Sequence, residues 1–144
     1  MTEQTAEKKT RRIPVMPILK LNADGTDGVL AGSTCNNCGV THLGAPAVCL
    51  KCMSTDLKRV ELGKSGVLHS YTVIYAPPAG WQGPVPYTLG SGGLTEGPEI
   101  LAEMIDCPRE ALKVGLKLRL VVVVGGKNKD GDEIMVYKWK PAGK

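Results

Sequence analysis

The sequence predicts a mainly β fold in two parts: a small N-terminal ribbon clasped by four cysteines, then a five-stranded barrel. Three observations point there. Two Cys-x-x-Cys pairs, Cys35/Cys38 and Cys49/Cys52, are separated by the ten residues Gly39 to Val48. The 144 residues include 18 glycines and 10 prolines but no phenylalanine, which favours strands and turns over long helices. From residue 65 onward, runs of β-branched, aromatic or alternating residues recur between turn signals.

The cysteine stretch is the most specific of these. Each pair can put two thiolates on one ion from a tight turn, and two facing turns make a tetrahedral four-sulfur site suited to zinc. Cys35, Cys38, Cys49 and Cys52 are therefore the expected metal ligands. A closed four-thiolate site leaves no open coordination position, so the metal is structural. Two disulfides or a redox dithiol are the other readings, and disulfides require an oxidising compartment.

Taken in order, Met1 to Arg12 is polar and aperiodic and is expected to be disordered. Ile13 to Leu21 is apolar but broken by Pro14 and Pro17, so it should run extended and cover a barrel edge or lie on a partner. Ala23 to Gly28 is a turn cluster. Val29–Thr34 is a strand entering the first cysteine turn, and Gly39 follows Cys38 where positive φ is needed. Val40–Leu43 returns beside it, and Leu57–Leu62 leaves the ribbon. A unit with so little core needs metal to fold.

Gly66–Tyr75 then reads as a long strand, and Ala76–Pro86, with four prolines, as an irregular loop carrying Trp81. Tyr87–Leu94 is a strand weakened or bulged by Gly90, Gly92 and Gly93. Glu99–Ile105 is the next strand. Asp106–Leu112 offers one or two helical turns, with Asp106 as cap and Pro108 near the first position. Leu116–Val124 alternates and should bury one whole face. Gly125–Asp132 is a polar hairpin loop, and Glu133–Lys140 the last strand, with Trp139 in phase for the core. Five short strands of this kind suit a closed barrel of OB type, with a small sandwich or an SH3-like barrel as alternatives. The expected division is 1–28 as an N-terminal arm, 29–62 as the zinc ribbon and 63–144 as the barrel.

Charge narrows the function classes. Of the net +4, residues 1–12 and 127–144 each carry +2, and the stretch between them is neutral. A nucleic-acid footprint should be a basic stripe on the folded body, so binding to single strands is disfavoured, though it stays the second reading. No apolar run reaches the roughly 20 residues of a membrane helix, and the start lacks a signal peptide's apolar segment. No membrane contact and a cytoplasmic location are the expectations.

Several stretches together resemble a known family: Leu30 to Gly39, Cys49-Leu-Lys-Cys52, Gly66 to Val73, Pro86-Tyr87, Leu94 to Pro98 and Gly115 to Val122. They are similar to the DUF35, or ChsH2-type, proteins, in which a rubredoxin-like zinc ribbon precedes an OB-fold. The resemblance covers residues 13–141. It departs at Ala45-Pro-Ala-Val48, where many members carry an arginine, and at Leu50, where proline is common. The resemblance implies a non-catalytic partner of acyl-coenzyme A enzymes, either thiolase-like or MaoC-like, that helps form the site for the coenzyme A thioester. More narrowly it implies a subunit of a thiolase cleaving an aromatic succinyl-CoA thioester, such as benzoylsuccinyl-CoA in anaerobic toluene degradation.

The remaining chemistry-bearing residues are weighed against plainer roles. Cys107, at a possible helix start, has the position of a stabilised thiolate, but no histidine is near it in sequence and a plain packing role is preferred. His42 can compete as a metal ligand, yet four cysteines suffice, and His69 is expected to be packed or hydrogen-bonded. Neither Asp24/Asp27 nor Asp130/Asp132/Glu133 makes an acid/base pair, because aspartate is favoured in turns anyway. Trp81 and Tyr87 are the candidate contacts to acyl-CoA, local packing of Trp81 being the alternative. An iron-bearing electron carrier is a third function reading, because the cysteine spacing also suits iron.

Overall fold

The computed structural model describes residues 11–81 and 83–142. Ten strands follow one another: β1 (Arg12–Pro14), β2 (Leu19–Leu21), β3 (Gly28–Cys35), β4 (Thr41–Leu43), β5 (Leu57–Glu61), β6 (Ser65–Ile74), β7 (Tyr87–Leu94), β8 (Glu99–Met104), β9 (Lys117–Lys127) and β10 (Glu133–Pro141). The expected barrel strands all form, most within a residue or two of their predicted ends.

The barrel closes in the order β10-β8-β7-β6-β9 and back to β10. All pairings are antiparallel except β8 with β10, which meet in parallel at Met104 and Trp139. That parallel closure is the OB arrangement. Strand β3 centres the ribbon sheet, with β2 and β4 on one side and β5 on the other.

Trp139 organises the barrel interior. It is fully buried, and its indole N–H donates to the Ile100 carbonyl at 3.0 Å, so its polar atom is satisfied. The indole lies over Gly66 and Gly92, where an added Cβ would come within 2.9 and 2.8 Å of the ring. Of the glycines expected to bulge β7, Gly92 makes room for this ring, while Gly90 admits Met104 and Leu68 and Gly93 admits the His69 ring. The register shift falls instead on the partner strand β6, between Leu68 and Ser70.

Leu19, Leu30 and Leu62 from the arm and ribbon share one continuous apolar cluster with Leu68, Leu94, Leu118 and Trp139. Lys64 fastens the same junction by bonding both carboxylate oxygens of Asp27 at 2.6 Å.

Four expectations need correction. Residues 1–10 lie outside the described residues, but Arg11 and Arg12 are not a loose tail. Strand β1 pairs in parallel with β10, and Arg11 and Arg12 bond Asp132 and Glu133 at 3.3 and 3.0 Å. The segment after β8 forms one 3-10 turn, Arg109–Ala111, with Pro108 at its cap position and no side-chain cap. Asp106 caps nothing; it adopts φ 55° and lies 3.7 Å from Lys140. Strand β9 runs on to Lys127, which leaves residues 128–132 as the hairpin loop. It buries one face only at Leu118 and Leu120, Val124 being 48% exposed, because the hairpin extends beyond the barrel wall.

Candidate functional site

The four paired cysteines converge. Cys35 ends β3, and the chain turns so that Gly39 donates its N–H to the Cys35 carbonyl at 2.9 Å with φ 83°. The second turn repeats this geometry: Met53 donates to the Cys49 carbonyl at 2.9 Å with φ 67°. All four sulfur atoms lie within 4.8 Å of one another. Across the two turns, Cys35 to Cys52 and Cys38 to Cys49 are each 3.6 Å. A tetrahedron with zinc–sulfur bonds of about 2.3 Å has an edge of about 3.8 Å, so the donor set fits such an ion.

Backbone and side-chain donors prepare thiolates. The N–H groups of Asn37 and Cys38 lie 3.3 and 3.4 Å from Cys35 Sγ, and those of Lys51 and Cys52 lie 3.4 and 3.5 Å from Cys49 Sγ. His42 places Nε2 3.3 Å from Cys49 Sγ, so it stands behind a ligand and is not one of the converging four. The Cys52 N–H and then His42 draw the Cys49 thiol down to about 5. Asn37 and then the Ser54 N–H lower Cys52. The Val40 N–H lowers Cys38 too, but burial and the three neighbouring thiols together outweigh it and hold Cys38 up at about 11. A metal held here would supply a cross-link between the two turns, with every ligand position taken by protein.

A second feature is a groove of about 580 Å³ between the β6–β7 loop and β10. It exists because β10 meets β8 only near Trp139, so the sheet opens toward Val136. Trp81 forms one wall. Its ring stacks on Tyr87 with centroids 4.1 Å apart, and its N–H donates to the Pro84 carbonyl at 3.2 Å. Tyr87 is nearly buried and supports the indole from behind. Of the two predicted acyl-CoA contacts, only Trp81 lines the groove. Glu103, Tyr137 and Lys138 also line it, with Lys138 Nζ 2.9 Å from Glu103. Sequence reading missed these three. The alternation that puts Trp139 inside sends Lys138 the other way, which was the available signal.

Elsewhere, His69 Nδ1 lies 3.0 to 3.1 Å from both carboxylate oxygens of Glu99, and the Ser91 hydroxyl donates to Glu99 at 2.8 Å. Ser91 and then His69 hold the Glu99 carboxyl below its usual range. This is the hydrogen-bonded role expected of His69. Cys107 Sγ contacts the Pro108 carbonyl, and burial pushes its thiol up, away from a reactive thiolate. No helix among the described residues is long and apolar enough to cross a membrane.

Comparison with known proteins follows the same outline. The profile described as ChsH2, C-terminal OB-fold domain, matches residues 59–123. A DUF35 domain-containing scaffold protein of Pyrococcus furiosus is 30% identical over 115 residues, 78% of this chain and 82% of that protein. The chain belongs to the DUF35 family. A further DUF35 scaffold protein, from Methanocaldococcus jannaschii, is 28% identical over 116 residues, 78% of this chain and 81% of its own length. The benzoylsuccinyl-CoA thiolase subunit BbsA of Thauera aromatica is 27% identical over 145 residues, covering 97% of this DUF35 chain and 99% of that subunit. Among solved structures, the Ltp2-ChsH2(DUF35) aldolase shares the DUF35 fold: its TM-score is 0.62 at 23% identity, over 80% of this chain and 86% of that one.

Proposed function

We propose that this protein is an accessory subunit of a thiolase-like acyl-CoA enzyme complex. It binds the enzyme subunit, helps form the acyl-CoA site and makes no bonds itself. The observation that carries this reading is the end-to-end similarity to a thiolase subunit, 97% of this chain against 99% of that one. The scaffold relatives and the aldolase complex agree with a hetero-oligomer. The site chemistry fits as well, because Cys35, Cys38, Cys49 and Cys52 would hold zinc in a closed, structural site.

The Trp81 groove is the acyl-CoA contact in this reading. The indole wall can stack on a flat ring, and the Lys138–Glu103 pair lines the groove beside it. The narrower reading is thiolysis of an aromatic succinyl-CoA, as in anaerobic toluene degradation.

The test is to co-express the chain with a thiolase-like subunit from the same organism and follow both through size-exclusion chromatography. A joint peak that cleaves acyl-CoA, with neither chain active alone, is the expected result. Thiolase activity from the pure chain refutes the accessory role. In the joint complex, Trp81→Ala raises KM for the acyl-CoA about tenfold, the loss expected for one aromatic contact.

A further inference from the structure

The β9–β10 hairpin has two long edges, and the fold treats them differently. On the β10 side, β1 pairs Arg12 to Pro14 with Glu133 to Met135, and the N–H of Val15 continues to the Met135 carbonyl. Pro14 and Pro17 blunt what lies beyond, as proteins do at exposed sheet edges. On the β9 side, β6 reaches only Lys117 to Arg119, and the Leu120 N–H then donates to the Lys64 carbonyl at 2.8 Å. Past Leu120, no described backbone group bonds this edge.

Strand geometry says which groups are on offer. Leu120 points its N–H toward the β6 side, so a period of two sends the N–H and C=O of Val122 and Val124 the same way. Those of Val121 and Val123 turn toward β10. The stretch Val121-Val-Val-Val-Gly-Gly126 holds no proline and no charge, and spans about 20 Å. The register with β10 shifts at Gly125, which bends the edge there, and Val121 to Val124 form the regular, apolar part that can template another strand.

Charge indicates what fits it. Lys117 and Arg119 stand before the stretch, Lys127 and Lys129 after it. Of the nearby acids, Asp132 and Glu133 are paired to Arg11 and Arg12, and Asp130 beside Lys129 offsets only one of the four basic groups. A second copy pairing antiparallel would set Lys127 and Lys129 against the other copy's Lys117 and Arg119, which disfavours self-association.

We propose that the open edge of β9, Val121 to Val124, accepts an extended apolar segment with flanking acidic residues from the enzyme subunit, adding a strand to the barrel sheet. This rests on the accessory-subunit reading above.

Amide hydrogen exchange on the full chain tests it, alone and mixed with a co-expressed thiolase-like subunit. Alone, Val122 and Val124 exchange fast while Val121 and Val123 exchange slowly. In the complex, Val122 and Val124 slow by about tenfold or more, and high salt weakens the complex. Val124→Pro removes one outward N–H and spares the β10 ladder, so affinity falls about tenfold with the far-ultraviolet spectrum kept. If that variant does not fold, the wild-type exchange data decide alone. A complex that leaves Val122 and Val124 unprotected overturns the edge proposal but spares the accessory reading. No complex at all sinks both. Protection that rises with concentration in the chain alone names a second copy as occupant and overturns the enzyme-segment proposal.

Discussion

Trp139 and Met53 show opposite bargains between side chain and backbone. Trp139 needs the missing side chains at Gly66 and Gly92. Gly92→Ala is expected to destabilise the protein by about 1–3 kcal/mol, the usual cost of overpacking a filled core, measured by urea unfolding. A midpoint unchanged from wild type would mean the indole can move. Met53 occupies the left-handed conformation that Gly39 adopts in the matching turn, and its side chain is 69% exposed. Met53→Gly should therefore stabilise the chain by up to about 1 kcal/mol, set by the strain of a non-glycine residue there. Thermal denaturation reads this directly, and a lowered Tm contradicts it. The core position of Trp139 was legible from its place between Lys138 and Lys140. Its stacking partners were not, because Gly66 and Gly92 lie far away along the chain. The same distance hid Trp81 on Tyr87, a contact across a proline-rich loop that no periodicity describes.

Strands were the legible elements, because alternation and turn residues are local. Tyr87–Leu94 has the predicted ends, and Glu99–Met104 differs from its expected strand by one residue. The illegible elements were those whose existence depends on a distant partner. Strand β1 forms because Arg11 and Arg12 find Asp132 and Glu133, 121 residues later. Such ties should be visible in pH dependence. Arg11, and then Asn128 beyond it, holds the Asp132 carboxyl below the ordinary range, and Lys64 does the same for Asp27. Both folded pKa values lie under the unfolded value of about 3.9. Each pair therefore contributes its full stability above that value and loses it as pH falls through the folded pKa. Unfolding midpoints measured from pH 5 downward should fall less steeply in Asp27→Asn than in wild type. Identical slopes would show that Lys64 and Asp27 do not hold the ribbon to the barrel.

At the scale of the whole molecule, the question is whether ribbon and barrel are separable. Sequence alone divides them at residue 63, because the cysteine turns and the barrel strands are different textures. The packing crosses that line. Leu30 and Leu62 are 0% and 2% exposed and belong to the cluster that contains Trp139. The ribbon sheet has little apolar material of its own to hold it once the four thiolates separate, so a metal in that site would supply much of its folding free energy. Losing the ribbon would then uncover Leu30 and Leu62 and strip one end of the barrel's core. Removing the metal with a chelator should therefore lower the Tm of the entire protein in one cooperative transition. Re-adding zinc should restore it, and Cys49→Ser should mimic the chelated state. Calorimetry on the full chain decides the matter. Two transitions, with the upper one unmoved by chelator, would show a barrel that stands without its ribbon. One transition that shifts with zinc would show that ribbon and barrel unfold as one unit, held together by a metal site that takes no part in chemistry.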